Sequence, residues 1–383
     1  MLRFLTAGES HGPGLVTIVE GLPAGIEVSA AGIGDELMRR RAGYGRGARM
    51  KLERDELEIM GGVRFGKTLG SPVAVIIRNT EWPKWEKEMS PEPGESEKPL
   101  ATPRPGHADL AGMMKYDTRD ARDILERASA RETAARSVVG YLAKQLLRGI
   151  GVEVLSHVVA IGEITADESE TPGPEDRDAI DASPVRAFAT GTQDAMIAAI
   201  DAAKKDRNTL GGVVEVLAYG LPPGVGSHVH FDRKLDARLA EALMSIQAIK
   251  GVEVGDGFKS AARPGSAAHD EIYHDEEGFK RQTNRAGGLE GGMTSGGPVR
   301  VRAAMKPIST VMRPLDTVDV ATKEATKAFR ERSDVCAVPA AGVVAEQMVA
   351  ITIAQEVQRK FGGDTVGDLQ QAVAAYRQRL ASF

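Results

Sequence analysis

One short pattern occurs twice in the chain, far apart in the sequence. Residues 14–26 read GLVTIVEGLPAGI and residues 212–225 read GVVEVLAYGLPPGV. Each copy has the apolar alternation of a strand, turns through glycine and proline, and is followed by a helical pattern. Two similar units of strand, turn and helix favour a pseudo-symmetric core. The alternative is that GLPxG is only a common turn in both places.

The rest of the chain combines helices with clustered strands. Ser29 is expected to cap a helix that runs to about Arg41. Further helices are predicted at residues 132–148, 194–205, 232–246, 322–330, 342–361 and 366–381, and strands near residues 152–161 and 299–305. Strands that cluster in this way favour an α+β fold over a doubly wound sheet.

Two polar segments, residues 82–100 and 166–183, have the composition of surface insertions. Neither reads as a linker long enough to separate two domains. A single domain over residues 1–383 is therefore expected.

Composition excludes several classes of protein. The 49 Lys and Arg and the 54 Asp and Glu give a net charge of −5, and aromatic residues make up 4% of the chain. Nucleic-acid binders usually have a basic face or stacking rings, so no nucleic-acid partner is expected. The single cysteine, Cys336, and the spacing of the histidines predict no metal site. Without a signal peptide or an apolar run of bilayer length, a cytoplasmic protein with no membrane partner is expected.

Residues 61–68 read GGVRFGKT and satisfy the phosphate-loop pattern GxxxxGK[ST]. In such a loop a helix must begin at the Lys-Thr pair. Here LGSP follows, and then VAVII at residues 73–77, which is typical of a second strand. A hairpin that meets the pattern by chance is the favoured interpretation, with a nucleotide triphosphatase as the alternative.

Cations gather in loops. Residues 39–54 contain seven Lys and Arg and one acid, interrupted by glycines. Guanidinium groups pair with phosphates and carboxylates through two hydrogen bonds, so the segment suits an anionic ligand; a solvated basic face is the alternative. Ser129 and Glu132 have capping-box spacing, which would place free helix amides between Arg127 and Arg131. An ordinary packing helix is the alternative there.

Two histidines stand in loops, within GESHGP at residues 8–13 and RPGHAD at residues 104–109. A lone histidine is more often structural, but such loops can direct a side chain into a pocket. Three features follow near the C-terminal end: a glycine-rich run at 286–298, KPIST at 306–310 and RERSD at 330–334. The first can lie against a planar ligand, and the others offer cations and hydroxyls. Together they predict a site for strongly anionic ligands.

These motifs carry a resemblance to a known family. In chain order they are GESHG, RRRAGYGRG, RPGHAD, ERASARET, QAIKGVEVGDGF, NRAGGLEGGMTSG, AAMKPIST and RSDVCAVPA. The chain closely resembles the chorismate synthase family over essentially its whole length. The resemblance implies a shikimate-pathway lyase that converts 5-enolpyruvylshikimate 3-phosphate to chorismate and phosphate by anti 1,4-elimination, with reduced FMN and no net redox change. It removes the triphosphatase alternative and leaves a flavin- or anion-sensing binding protein as the non-enzyme competitor.

The resemblance also implies roles for individual residues. His11 is implied as the proton donor to the departing phosphate, and His107 as the group that supports the anionic reduced flavin. Asp334, with Ser10, is implied to manage the proton at flavin N5. The positions implied for substrate anions are Arg40, Arg46, Arg49 and Arg131, of which Arg40 and Arg46 are also linked to NADP. The positions implied for FMN are Arg127, Ala128, Ser129, Gln247, Ala248, Gly291, Lys306, Pro307, Ile308, Ser309, Thr310 and Arg332.

The family fold is a β-α-β sandwich, with helices between antiparallel sheets, assembled as a homotetramer. It agrees with the repeat and with the α+β pattern. The substrate has two carboxylates and a phosphate, about −4 near neutral pH, which suits loops rich in arginine. Whether NADPH serves as an indirect reductant stays open, and the lack of an added reductase domain favours reduced flavin from another source.

Overall fold

The structure is a computed structural model that describes residues 2–47, 55–167, 170–276, 278–331 and 333–383. Its strands are β1 (Arg3–Ala7), β2 (Gly14–Glu20), β3 (Glu56–Gly61), β4 (Val63–Arg64), β5 (Lys67–Thr68), β6 (Val73–Arg78), β7 (Glu153–Ile161), β8 (Ile164–Thr165), β9 (Gly212–Tyr219), β10 (Ile249–Val254), β11 (Ile272–Asp275), β12 (Gly278–Arg281), β13 (Leu289–Glu290), β14 (Met293–Thr294), β15 (Val299–Met305), β16 (Asp316–Val318) and β17 (Ala325–Lys327). Its α-helices are α1 (Ala30–Arg41), α2 (Asp109–Tyr116), α3 (Arg122–Ala128), α4 (Thr133–Arg148), α5 (Arg177–Ala182), α6 (Gln193–Lys205), α7 (Leu235–Met244), α8 (Phe258–Ala261), α9 (Gly265–Ala268), α10 (Val338–Phe361) and α11 (Val366–Ala381).

Two antiparallel sheets form the outer layers. The first has the strand order β1-β2-β6-β3 and the second β10-β15-β9-β7-β8. In the first sheet Leu15 of β2 lies opposite Ile77 of β6, and in the second Val216 of β9 lies opposite Val301 of β15. All four side chains are buried, because every second residue of a strand points to the same face.

Helices α4 and α10 lie between the sheets. Helix α4 packs against β2 and α1, and α10 packs against α4, β7 and β9. The two helices approach closely at Gly140, where an added Cβ would lie 2.4 Å from Cβ of Gln347. The α+β prediction, a β-α-β sandwich with its helices inside, is therefore confirmed.

Helix α10 has the length and composition of a membrane span, contrary to the expectation that no apolar run reaches bilayer length. However, 94% of its most apolar window is buried within the protein. A central helix is apolar on all sides because it is enclosed by protein on all sides.

The two copies of the sequence repeat occupy corresponding places. Strands β2 and β9 both have a neighbour on each side within their sheets, and α1 and α7 follow them. Both turns dock near the junction of α10 and α11: the amide of Ala24 donates to the carbonyl of Asp364 (2.8 Å), and the Tyr376 hydroxyl donates to the carbonyl of Pro223 (2.9 Å). This arrangement supports the pseudo-symmetric interpretation of the repeat.

The hairpin interpretation of residues 61–68 is confirmed. Strands β4 and β5 pair across Phe65 and Gly66, which have φ angles of +49° and +74°. A strand, not a helix, contains Lys67. The segment therefore has no helix N-terminus to receive a phosphate.

The helix predicted at residues 322–330 is wrong. Strand β17 lies there and pairs with β16, with Thr326 opposite Thr317. Lys323 has a φ of +66°, which a right-handed helix does not allow, and the turn it forms joins the two strands. The pairing of β17 with β16 thus outweighs the helical propensity of residues 322–330.

The segment at residues 166–183 is more than a surface insertion. It contains α5, whose Ile180 is buried against Leu155 and Leu217 on the face of the second sheet that points away from α10. The segment thus covers the apolar outer face of that sheet.

Candidate active site

Contacts between loops connect most of the predicted site residues. The connections form three groups, around His11, around His107 and around Asp334. Arg49 and Arg332 lie outside the described residues.

The loop between β1 and β2 holds His11 against Glu126 of α3. The backbone N–H of His11 donates to Oε2 of Glu126 (2.8 Å), and Nδ1 of the ring lies 2.8 Å from Oε1. Burial alone would raise the pKa of Glu126, but the hydrogen bonds from His11 and the charge of Arg122 lower it below its usual range. An ionised carboxylate only accepts, so Nδ1 carries the hydrogen and Nε2 is the nitrogen that can exchange a proton with a ligand.

Asn79, just after β6, joins this loop to Arg131. Its side-chain nitrogen donates to three carbonyl oxygens of the loop, at 3.2, 3.3 and 2.6 Å. Its side-chain oxygen accepts from Nε and Nη2 of Arg131, at 3.2 and 3.0 Å. Asp55 accepts from Nη1 of the same guanidinium at 2.6 Å. The arginine is thereby fixed beside the loop that carries His11.

The start of α4 places further predicted residues beside this loop. Ser129 caps the 3-10 turn Ala130–Glu132 by accepting from the amide of Arg131, and its hydroxyl lies 3.2 Å from that of Ser10. Buried Arg40 donates from Nη1 to Thr133 of α4 (3.3 Å). The predicted cap at Ser129 is confirmed.

The capping box predicted there is not formed. The carboxylate of Glu132 accepts instead from Thr6, Arg136 and Gln247. Tertiary partners thus replace the backbone amide that the box would have used.

A second group surrounds His107. Asp109 has no exposed surface, and its Oδ1 lies 2.5 Å from Nδ1 of His107. Arg104 donates to Oδ2 of the same carboxylate (2.8 Å) and to the hydroxyl of Thr310 (2.9 Å). Burial would raise the pKa of Asp109, but hydrogen bonds from His107 and Arg104 outweigh it and hold the pKa at about 2. This histidine is also held through Nδ1 by an ionised carboxylate.

The candidate FMN residues connect the two groups. The amide of Lys306 donates to the carbonyl of Ala248 (2.9 Å), and its ammonium donates to the carbonyl of Gly106, next to His107. Gln247 donates to Glu132 (3.3 Å) at the start of α4.

Arg127 lies 3.8 Å from the same Glu132 and donates to the carbonyls of Thr6 and Gly8. Ile308, within the KPIST run, accepts from the hydroxyl of Thr209 at 2.9 Å. Contacts thus join residues from six separate stretches of the chain.

The third group holds Asp334 just before α10. Its Oδ1 accepts from the amide of Gly47 (2.6 Å), and its Oδ2 lies 2.7 Å from Nη1 of Arg46. The structure therefore brings a predicted proton-handling residue into contact with a predicted anion-binding arginine.

Among the candidate FMN residues that the structure describes, Gly291 lies apart. It has a φ of +58° in the turn between β13 and β14, and the backbone of that hairpin bonds to Val225, Ser227 and Leu235. In the described part of the chain these bonds do not connect it to the three groups.

The donors in this region fit a flavin phosphate and ring. Arg127, Lys306, Ser309 and Thr310 supply cations and hydroxyls. Oε1 of Gln247 is buried and has no hydrogen-bond partner among the described residues. Buried acceptors are nearly always paired, so this oxygen suits a ring N–H. Among the residues that the structure describes, no group of three or more His, Cys, Asp or Glu could hold a metal ion.

Sequence reasoning missed Glu126, Asn79 and Trp85. Glu126 belongs to the ERASARET motif, one of the motifs that carry the family resemblance. Its role as partner of His11, however, depends on a contact across 115 positions of the chain. Asn79 follows an ordinary strand, and no sequence signal marks it. Residues 82–100 are more than a surface insertion, because the Trp85 ring lies 4.0 Å from that of His11, centroid to centroid.

Comparisons with known proteins agree over the whole chain. A family model described as chorismate synthase matches residues 2–357. A chorismate synthase of Acidothermus cellulolyticus is 62% identical over 389 residues, covering 99% of each chain, and one of Thermobifida fusca is 60% identical over 390 residues, also covering 99% of each. A crystal structure of chorismate synthase is similar with a TM-score of 0.81 and 42% identity, covering 100% of this chain and 99% of that one.

Proposed function

The chain belongs to the chorismate synthase family, and we propose that its reaction takes place at the groups of His11, His107 and Asp334. The enzyme is a lyase that converts 5-enolpyruvylshikimate 3-phosphate to chorismate in aromatic amino-acid biosynthesis. The observation that carries the placement is the buried pair of His11 and Glu126 beside the fixed guanidinium of Arg131.

The substrate anions bind to arginines that the fold already holds in place. Arg131 is fixed by Asn79 and Asp55, and Arg40 by Thr133. Because these side chains are ordered before binding, less conformational entropy is lost when the phosphate and carboxylates arrive. Arg46 and Arg49 complete the proposed set.

His11 donates the proton that lets phosphate depart as a weaker base. Ionised Glu126 keeps the hydrogen on Nδ1, so Nε2 is the donor to the phosphate oxygen. The neighbouring arginines stabilise the negative charge that develops on the leaving group.

Reduced FMN is proposed to bind across Arg127, Ala128, Ser129, Gln247, Ala248, Gly291, Lys306, Pro307, Ile308, Ser309, Thr310 and Arg332. When bound, it supplies the electron-rich ring that assists phosphate departure without net oxidation. His107, oriented by Asp109, offers Nε2 to the pyrimidine edge of that ring. Asp334, held by Arg46 and Gly47, would be the group that handles a proton at N5 of a bound flavin, with Ser10 assisting.

We also propose that the enzyme is a single-domain, cytoplasmic homotetramer. NADPH is proposed as an indirect reductant at Arg40 and Arg46. Light scattering on the purified protein tests the tetramer. A mass equal to that of a single chain would contradict it.

The test is anaerobic turnover with chemically reduced FMN, followed by phosphate release. We expect His11→Ala to slow turnover by about 10²–10⁴-fold with substrate binding retained, because it removes a positioned general acid but not the arginines. Lys67→Ala is the matched control and should leave turnover unchanged, since Lys67 lies in the β4–β5 hairpin. Loss of substrate binding in proportion to rate would mean that His11 only maintains the pocket. No turnover in the wild type would favour a flavin- or anion-sensing binding protein.

A further inference from the structure

Trp85 contacts both side chains that bind one oxygen of Glu126. Its ring centroid lies 4.0 Å from that of His11, with 34° between the ring planes. The guanidinium carbon of Arg122 lies 4.9 Å from the centroid of the Trp85 ring. His11 and Arg122 approach Oε1 of Glu126 to 2.8 and 2.9 Å. The four side chains form a closed ring of contacts.

This ring of contacts restrains His11 in a way that its hydrogen bonds cannot. An imidazole bonded through Nδ1 can still rotate about that bond, and rotation would move Nε2. Stacking against the indole fixes the plane of the imidazole, and an indole face also stabilises a protonated imidazole. Nε of Arg122 is buried without a hydrogen-bond partner among the described residues, so the indole face is a main support of that guanidinium.

The indole is brought there by the segment that follows β6. The 3-10 turn Trp82–Lys84 begins after Glu81, and the amide of Trp85 donates to the carbonyl of Trp82 (2.8 Å). Asn79, which starts this segment, is itself bonded to the loop of His11. The segment is therefore anchored on the loop that Trp85 contacts.

We propose that Trp85 is a positioning residue that fixes the His11 imidazole for proton transfer to the leaving phosphate. The inference rests on the proposed role of His11. It assigns a function to residues 82–100, which the reaction otherwise does not use. Trp85 acts through His11 and Arg122 and does not itself exchange a proton.

The kinetic test compares Trp85→Ala, Trp85→Phe and Trp82→Phe, with His11→Ala assayed beside them. Misplacement of a reacting group by about 1 Å costs up to about 10²-fold in rate, so Trp85→Ala should lower kcat by roughly 10- to 100-fold with little change in KM. Trp85→Phe retains a stacking ring and should recover most of that loss. Trp82→Phe is the matched control and should leave kcat and KM unchanged. Thermal melting of each variant verifies that it is folded.

A fluorescence test needs no turnover. Trp82 and Trp85 are the two tryptophans of the chain, so Trp82→Phe leaves Trp85 as the single reporter. An imidazole in contact with an indole quenches its emission, so adding His11→Ala to that variant should increase the emission of Trp85. Adding His228→Ala, in a loop that does not contact Trp85, should not.

The outcomes separate the two proposals. Unchanged emission on removal of His11, or a wild-type kcat for folded Trp85→Ala beside a slow His11→Ala, overturns the role of Trp85 and leaves the proposed reaction intact. A wild-type rate for His11→Ala overturns the role of His11 in the reaction, and the role of Trp85 with it. Equal losses in Trp85→Ala and Trp85→Phe also contradict positioning by a stacked ring.

Discussion

At the scale of single residues, the two histidines of the site are held in the same way. Nδ1 of His11 faces Glu126 and Nδ1 of His107 faces Asp109. Both carboxylates are buried, and both have a lowered pKa because cationic or hydrogen-bonding neighbours outweigh burial. In each histidine Nε2 is therefore the nitrogen that does not face the carboxylate. Anchoring at Nδ1 fixes which nitrogen of each ring can exchange a proton.

The lowered pKa of Asp109 predicts a dependence of stability on pH. A carboxyl whose pKa is about 2 in the folded chain and about 4 when unfolded stabilises the protein fully above about pH 4. As the pH falls toward 2 the unfolded state binds the proton first, and the contribution is lost. The difference in free energy of unfolding between wild type and Asp109→Asn should therefore shrink between pH 5 and pH 3.

Denaturant unfolding at pH 7, 5, 4 and 3 measures this difference. Asp117→Asn is the control, since the Asp117 side chain is 93% exposed, and its difference from wild type should stay flat. A difference for Asp109→Asn that is constant across this range would mean that the carboxylate is not stabilised by Arg104 and His107.

The histidines could be predicted from the sequence, whereas their partners could not. Nearby glycine and proline residues mark the loops that carry His11 and His107, and the family motifs imply a role for each histidine. Glu126 reads as an ordinary helical acid. Only the folded chain brings it to His11, because the contact spans 115 positions and leaves no local pattern.

At the scale of elements, helices α1 and α11 both have a side-chain cap at their start and lie at the bounds predicted for them. In α11, Thr365 and Asp368 form a capping box that fixes the start of the helix. The helix predicted at residues 322–330 had no such cap, and pairing of β16 with β17 decided the outcome. Local signals predict an element where they are strong, and tertiary contacts decide the rest.

The close approach of α4 and α10 predicts opposite effects for two helical glycines. An alanine at Gly140 would place its Cβ 2.4 Å from Gln347, so Gly140→Ala should destabilise the protein by about 1–3 kcal/mol through overpacking. Gly34 of α1 has nothing within 4 Å of an added Cβ, and Gly34→Ala should stabilise by about 0.5–1 kcal/mol through helix propensity. Denaturant unfolding of both variants measures the signs. If both substitutions stabilise the protein, then α4 and α10 can move apart without a loss in the free energy of unfolding.

At the scale of the whole molecule, a buried ionic cluster joins the layers of the sandwich. Glu346 of α10 has no exposed surface and accepts from Arg39 of α1 (2.9 Å), Lys144 of α4 (2.8 Å) and Ser156 of β7 (2.9 Å). Burial would raise the pKa of Glu346, but Arg39 and Lys144 hold it well below its usual range. The carboxylate is thus ionised and connects three helices and a strand.

Removing that charge should be costly. Glu346→Gln leaves Lys144 and Arg39 buried with less compensation, so we expect a loss of about 3–5 kcal/mol in the free energy of unfolding. The exposed pair of Asp316 and Lys327 is the control, and Asp316→Asn should cost less than about 1 kcal/mol. Calorimetry or denaturant unfolding compares the two. Equally small losses in the free energy of unfolding for the two variants would mean that helix packing alone holds the layers together.

The order in which the chain is made gives the central helix a further consequence. The backbone amide of Leu2 donates to Gln358 of α10, and Glu36 of α1 accepts from Gln347 of the same helix. At roughly 5–20 residues per second, a ribosome needs about 17 to 68 seconds to reach α10, which begins at Val338. Until then the first sheet lacks the layer that covers α4. The nascent chain must therefore hold an open apolar surface until α10 has been made.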